Sequence, residues 1–173
     1  MFTSSDQKAE ERTAKEFVDG EQFLYIGKYY SLQINTSETP AIEFKEAFIV
    51  NTPNIEIAKD LMFEWYQQQA KEVLTPRIIY FAEHLGVKRK RINITSAKYT
   101  WGSCTPAGTL NFNWRIVKAP SEVMDYIVVH ELAHLREHNH SAEFWNIVAV
   151  QLPQYEDAKQ WLRLNGHELD EDF

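Results

Sequence analysis

The sequence predicts a single-domain α+β fold, in which an antiparallel sheet packs against helices and one histidine-bearing helix is buried at the centre. Two aromatic and β-branched segments, residues 23–34 and 42–50, are typical of strands. Apolar residues recur at helical spacing from residue 57 to residue 74. The segment 120–135 is apolar on nearly every side in its second half, which predicts a helix that is buried all round.

The length of 173 residues fits one ordinary domain. Residues 1–20 are polar and predict a lead-in with little to bury, helical from 5 to 17, so the domain itself is expected over residues 21–173. No apolar run approaches the roughly 18 residues that a membrane span needs, and no apolar stretch typical of a secretory signal is present. The single cysteine, Cys104, cannot form an internal disulfide and is expected to be a small buried residue. These features favour a cytoplasmic protein.

Four strand segments are predicted. Gly27 supplies a turn within residues 23–34, and residues 42–50 are expected to pair with that ribbon in antiparallel fashion. Residues 92–99 and 108–116 read as two further strands, separated by a segment rich in turn residues.

The helices are predicted from their start and stop signals. A long helix follows Asn54, and Pro76 is expected to end it and to begin a second helix that runs to Leu85. Pro120 fits the first turn of the next helix, because proline lacks the N–H that would stay unsatisfied there. Asn139 is the expected stop of that helix, since asparagine tolerates the left-handed conformation.

The predicted buried helix carries the motif His130-Glu131-x-x-His134. Residues four apart lie on the same face of a helix, so both histidines can bind one metal ion. This is the arrangement of zinc peptidases, in which two imidazoles bind zinc and the glutamate acts on a water molecule. Three polar side chains in a buried apolar helix are costly unless they have partners, and a bound metal accounts for all three.

The third ligand is predicted from helix geometry. His138 would lie about 12 Å from His130 along a continuous helix, whereas a zinc–nitrogen bond is only about 2 Å long. His140 can reach the metal if the chain leaves the helix at Asn139 and Ser141 caps a new one. His140 is therefore the predicted ligand, and His138 is expected at the rim. A downstream glutamate remains the alternative: Glu143, Glu156 or Glu168.

The predicted chemistry is hydrolysis of a peptide bond with one zinc ion. Zinc activates a water molecule, and Glu131 takes its proton and delivers it to the leaving amine. A donor must also stabilise the oxyanion. The candidates are Asn113, Arg115, His138 and Tyr155. A strand over residues 108–114 is the candidate for pairing with an extended substrate.

Charge is distributed unevenly along the chain. The net charge is −7, but residues 77–118 hold eight basic residues against one acidic residue, so this segment carries +7 and the remainder −14. A basic segment can meet an anionic partner, which makes a metal-stabilised nucleic-acid-associated protein the alternative function. A metal-dependent hydrolase of a non-peptide amide is a third possibility that the motif allows.

A series of motifs covers residues 23–169 and resembles the YgjP-like metallopeptidase family of metal-dependent hydrolases. The motifs are, in chain order, Trp101-Gly102-Ser103-Cys104, Asn113-Trp114-Arg115, Ala119-Pro120, Asp125-Tyr126, His130-Glu131-Leu132-Ala133-His134, Asn139-His140-Ser141, Phe144-Trp145 and Trp161-Leu162-Arg163. The resemblance implies a zincin-like α+β domain with zinc on His130, His134 and His140, and with Glu131 as catalytic base. It also implies a distant relationship to SprT-like proteases, which act on proteins crosslinked to DNA.

Overall fold

Two small mixed sheets and four α-helices make up residues 14–171, the part of the chain that this computed structural model describes. The elements are β1 (Gln22–Tyr25), β2 (Lys28–Ile34), β3 (Ile42–Phe44), β4 (Phe48–Val50), α1 (Ile55–Leu85), β5 (Arg91–Thr95), β6 (Gly102–Cys104), β7 (Thr109–Asn113), a 3₁₀ helix (Trp114–Lys118), α2 (Ser121–Ala133), α3 (Ala142–Gln151) and α4 (Tyr155–Leu169). The α+β class is confirmed. None of these helices combines the length and the apolar character needed to cross a membrane.

The first sheet has the strand order β1-β2-β4-β3 and holds an aromatic core. The predicted hairpin over residues 23–34 is confirmed, with β1 antiparallel to β2. The prediction of one antiparallel strand over residues 42–50 is wrong, because these residues form β3 and β4, and β4 runs parallel to β2. Glu46 adopts a positive φ of 58° in the turn between them. This turn reverses the chain direction, so Phe44 of β3 and Phe48 of β4 lie side by side, with ring centroids 5.0 Å apart.

The segment before β1 contributes to the core. Phe17 is only 2% exposed and packs edge-on against Phe23, with ring centroids 5.3 Å apart. Asp19 accepts a hydrogen bond from the backbone N–H of Ile34. The expectation that residues 1–20 bury little is therefore wrong for Phe17. Most of the helix predicted over residues 5–17 lies outside the described residues, and the domain boundary at residue 21 stays a prediction.

Helix α1 is continuous, so the predicted break at Pro76 is wrong. Asn54 caps its beginning and Gly86 its end, where Gly86 has a left-handed φ of 63°. An internal proline costs about 3 kcal/mol. Leu74 and Ile78 flank Pro76 and are both fully buried, and each contributes about 1.5–3 kcal/mol of apolar burial. That burial offsets the cost of the proline.

The second sheet has the order β5-β7-β6, so β7 is its central strand and β6 is an edge. β7 pairs with β5 in parallel and with β6 in antiparallel fashion. The strand predicted over 108–116 ends at Asn113, because the Asn113 side chain caps the following 3₁₀ helix by accepting from the N–H of Arg115. β6 lies in the segment that the sequence indicated as a turn. The fully buried side chains of Leu110 and Phe112 come from β7.

Helix α2 is buried along its whole second half and contacts α1, α3, α4 and β6. It ends at Ala133, so the prediction that it continues to Asn139 is wrong. Beyond Ala133 the backbone N–H groups donate to carbonyls three residues back, from Leu135 to Leu132 (3.0 Å) and from Arg136 to Ala133 (3.0 Å). These i to i−3 bonds tighten the last turn and end the helix directly before His134.

Candidate metal centre

Three histidines converge at the end of α2. His130 lies in the last turn of α2, His134 directly follows it, and His140 precedes α3. One nitrogen from each ring lies within 4.8 Å of the other two, and the Nε2 atoms of His130 and His140 are 3.1 Å apart. Two nitrogens bound to one tetrahedral zinc ion lie about 3.3 Å apart, since each Zn–N bond is about 2.0 Å long. The 3.1 Å between His130 and His140 is therefore the spacing of two ligands of one metal ion, and His134 lies close enough to join them.

The alternative third ligands lie outside this group. Within residues 14–171, the histidines at 130, 134 and 140 form the one group of three side chains that could hold a metal ion. Glu143, Glu156 and Glu168 do not belong to it. Glu168 accepts a hydrogen bond from the hydroxyl of Tyr29 at 2.8 Å instead.

A buried phenylalanine lies beneath the three histidines. The ring of Phe144 is fully buried, and its centroid lies 4.9 Å from His130, 4.6 Å from His134 and 4.9 Å from His140. Ser141 caps α3 as predicted, by accepting from the N–H of Phe144 at 3.3 Å. The start of α3 thus fixes both a histidine and the ring that supports it. The sequence signalled Phe144 only through its place in a motif.

The tautomer of His134 follows from its neighbour. Its Nδ1 lies 3.1 Å from the backbone carbonyl of Glu137, and a carbonyl can only accept, so Nδ1 carries the proton. The lone pair is then on Nε2, a buried atom for which the described residues offer no hydrogen-bond partner. A carbonyl that orients a histidine in this way is typical of metal ligands. A cation would satisfy the Nε2 lone pair.

The environment keeps the three imidazoles neutral. Burial, and after it the positive charges of His134 and His140, lower the pKa of His130 to about 2. Burial also lowers the pKa of His134 and that of His140. Metal binding requires deprotonated imidazoles, so these residues are prepared to bind a cation at neutral pH.

Glu131 lies next to the histidines and is fully buried. Neither of its carboxylate oxygens has a hydrogen-bond partner among the described residues. Burial raises the pKa of Glu131 to about 7. The carboxylate, His134 and His140 line one open cleft of about 400 Å³. A carboxylate in this state can exchange protons with a water molecule or a substrate in that cleft near neutral pH.

The four predicted oxyanion donors occupy different places. His138 is exposed and lines the cleft, whereas Asn113, Arg115 and Tyr155 are absent from its lining. The Asn113 amide donates to two backbone carbonyls at 2.7 and 3.1 Å, so its N–H groups are already used. Tyr155 stacks on Trp145, with ring centroids 5.4 Å apart. The sequence identified these residues by their type, which does not determine where their side chains point.

The opposite wall of the cleft is formed by β6 and the turn after it, through Ser103, Cys104 and Pro106. Burial and the negative charge of Glu131 raise the pKa of the Cys104 thiol to about 11, so the thiol is protonated at neutral pH. Cys104 is half-buried, whereas the sequence predicted a buried residue. A protonated thiol is a poor nucleophile.

Burial and pairing break up the basic segment over residues 77–118. Arg115 is 7% exposed and Lys118 is 4% exposed, so neither presents its charge on a surface. Arg77 forms an ion pair with Asp125 at 3.0 Å. The other five basic residues, Lys88 to Arg91 and Lys98, are exposed or half-exposed. Burial and pairing therefore remove three of the eight charges, and the nucleic-acid partner stays a prediction.

The three-histidine cluster is a candidate metal centre, and the comparison with family models agrees with it. The chain belongs to the YgjP-like family: the profile of the YgjP-like metallopeptidase domain matches residues 3–165. This confirms the resemblance found in the sequence motifs.

Two of the solved structures that are similar to the chain are described as metallopeptidase zymogens. Abylysin from Pyrococcus abyssi is 24% identical, with a TM-score of 0.49 over 54% of this chain and 93% of that one. Jannalysin from Methanocaldococcus jannaschii is 21% identical, with a TM-score of 0.47 over 51% of this chain and 92% of that one. No curated protein matches the chain.

Proposed function

We propose that this protein is a zinc-dependent metallopeptidase in which His130, His134 and His140 hold one zinc ion and Glu131 is the general base. One observation carries the proposal: three imidazoles with lowered pKa values, two of them buried, converge beside a buried carboxylate that has no other described partner. Among metal sites, three histidines with an open side are typical of catalytic zinc.

Glu131 performs the proton transfers in the proposed mechanism. A zinc ion, when bound, would activate water and polarise the scissile carbonyl. With a pKa raised to about 7, the Glu131 carboxylate accepts the proton of the attacking water and returns it to the leaving amine. His138 lines the cleft and is exposed, so its ring is the candidate donor to the oxyanion.

The proposed binding site for an extended substrate is β6. The prediction of residues 108–114 for this role is wrong, because β7 is flanked on both sides by strands. On either side of β6, the carbonyl of Trp101 accepts from the N–H of Asn113, and the N–H of Thr105 donates to the carbonyl of Thr109. Antiparallel pairing alternates, so the backbone groups of Gly102 and Cys104 point away from β7. A peptide can add to such an edge through main-chain hydrogen bonds, beside the cleft that holds Glu131.

The proposal includes a cytoplasmic setting. Its support is Cys104, the single cysteine of the chain, which is free. A chain without a disulfide is typical of reducing compartments such as the cytoplasm.

Replacement of the general base tests the proposed function. E131Q keeps the size of the side chain and removes its basicity, so it should bind about one zinc ion per chain and lose about 10²- to 10⁴-fold in peptide cleavage. E143Q is the matched control, because Glu143 is exposed in the first turn of α3, near the site. It should keep both metal and activity. Both are measured by metal analysis and by cleavage of a casein substrate.

Two results would count against the proposal. One is a zinc-loaded wild-type protein that cleaves no peptide in a mixed peptide library. The other is an E131Q variant that cleaves as fast as E143Q.

A further inference from the structure

Gly102 lies in the edge strand β6 and faces the side chain of Glu131. A Cβ atom added at residue 102 would lie 2.9 Å from Cγ of Glu131, 3.2 Å from Oε1 and 3.3 Å from Cδ. Contacts shorter than 3.0 Å essentially never occur for real Cβ atoms, and ordinary contact begins at 3.4 Å. The space that a side chain of residue 102 would need is already occupied by the carboxylate group.

The backbone at Gly102 does not itself require glycine. Four glycines in residues 14–171 have positive φ angles: Gly20, Gly27, Gly86 and Gly108. Gly102 is not among them, so an L-amino acid could adopt its conformation without strain. Glycine in a strand weakens the strand, because it has no side chain to pack and more entropy to lose. The steric contact with Glu131 therefore accounts for the glycine, whereas turn geometry does not.

We propose that Gly102 is a positioning residue, whose missing side chain leaves the space in which Glu131 reaches the cleft. This inference rests on the proposed role of Glu131 as general base. The carboxylate has little room elsewhere, because Glu131 is fully buried on α2 between the metal-site histidines and β6. A methyl group at residue 102 would displace the Glu131 side chain by at least 0.5 Å, the difference between 3.4 and 2.9 Å.

Such a displacement acts on catalysis more than on folding. The Glu131 side chain lines the open cleft and can move into it to relieve the clash, so G102A is expected to fold. The carboxylate then sits away from the position in which it can take the proton of the attacking water. Misplacement of a catalytic group by about 1 Å costs up to about 100-fold in rate. The three atoms nearest to the new methyl group all belong to Glu131, so metal content should stay unchanged.

The catalytic test compares G102A with G166A. Gly166 also lacks a positive φ, and a Cβ there would make an ordinary contact of 3.8 Å with Trp101. G102A should lose about 10- to 100-fold in kcat with nearly unchanged KM and zinc content, whereas G166A should behave as wild type. A G102A variant whose kcat matches that of G166A would overturn the proposal.

A stability test needs neither metal nor activity. In the metal-free protein, G102A should lower the melting temperature of wild type and of E131Q by the same amount, because glutamine is as large as glutamate. It should not lower that of E131A, in which the side chain is removed. Equal losses in the wild-type and E131A backgrounds would refute the contact. A wild-type protein without peptidase activity would count against the proposed function alone, since this stability cycle would still test the contact.

Discussion

Replacing Phe144 with leucine tests whether the ring beneath the three histidines organises them for metal binding. Phe144 is fully buried and lies 4.6–4.9 Å from each imidazole, so leucine would leave a gap under all three rings. Without that support the imidazoles must be ordered when metal binds. Ordering costs about 0.5 kcal/mol for each side chain, so the three together cost about 1.5 kcal/mol, or roughly tenfold in zinc affinity.

The assay is competition for zinc between the protein and a fluorescent chelator of known affinity. F48L is the matched control, because Phe48 is also fully buried but packs in the aromatic core of the first sheet. Both variants should lose about 1–2 kcal/mol of unfolding free energy, and F144L alone should lose zinc affinity. If F144L binds zinc as tightly as F48L does, the reasoning about Phe144 fails.

Three further predictions concern stability. Lys118 is buried and donates to backbone carbonyls of the C-terminal segment at 2.7 and 3.3 Å. K118M should therefore lower the unfolding free energy, measured in urea, by about 1.5–3 kcal/mol. K88M, at an exposed position, is the control and should not lower it. S141A removes the cap of α3 and should cost about 1 kcal/mol; an unchanged melting temperature would contradict that role. In the metal-free protein, burial lowers the pKa of His130 from 6.5 to about 2, so its stabilising contribution is complete above pH 6.5 and is lost as the pH falls. Burial raises the pKa of Glu131 from 4.5 to about 7. The contribution of Glu131 to folding stability therefore grows as the pH falls from 7 to 4.5. As the pH falls from 6.5 to 5, E131Q should therefore lose unfolding free energy more steeply than wild type, by up to about 1.4 kcal/mol per pH unit. Parallel pH profiles of the two proteins would show that Glu131 does not offset the loss caused by His130.

Local spacing made the centre of the site predictable. The four-residue interval between His130 and His134 places both on one helix face, and the need to leave the helix singled out His140. The structure brings these three rings together even though α2 ends earlier than the sequence indicated. The assignment of His140 did not depend on the exact end of α2, because it required only that the chain turn back before His140.

Features that depend on distant parts of the chain could not be predicted in the same way. Pro76 is an ordinary helix stop in the sequence, and only the burial of its neighbours on both sides keeps α1 continuous. Gly102 is one glycine in a segment of turn residues until β6 is placed against Glu131. The proposed oxyanion donors were chosen by chemical type, and the packing of Asn113 and Tyr155 shows that type alone does not fix orientation.

Anomalous diffraction at the zinc edge from crystals of the zinc-loaded protein tests the central claim most directly. We predict one strong peak per chain, about 2 Å from a ring nitrogen of each of His130, His134 and His140, with an open position facing the cleft. A peak bound by Glu143, Glu156 or Glu168 in place of His140, or no peak at these histidines after zinc loading, would contradict the proposed site.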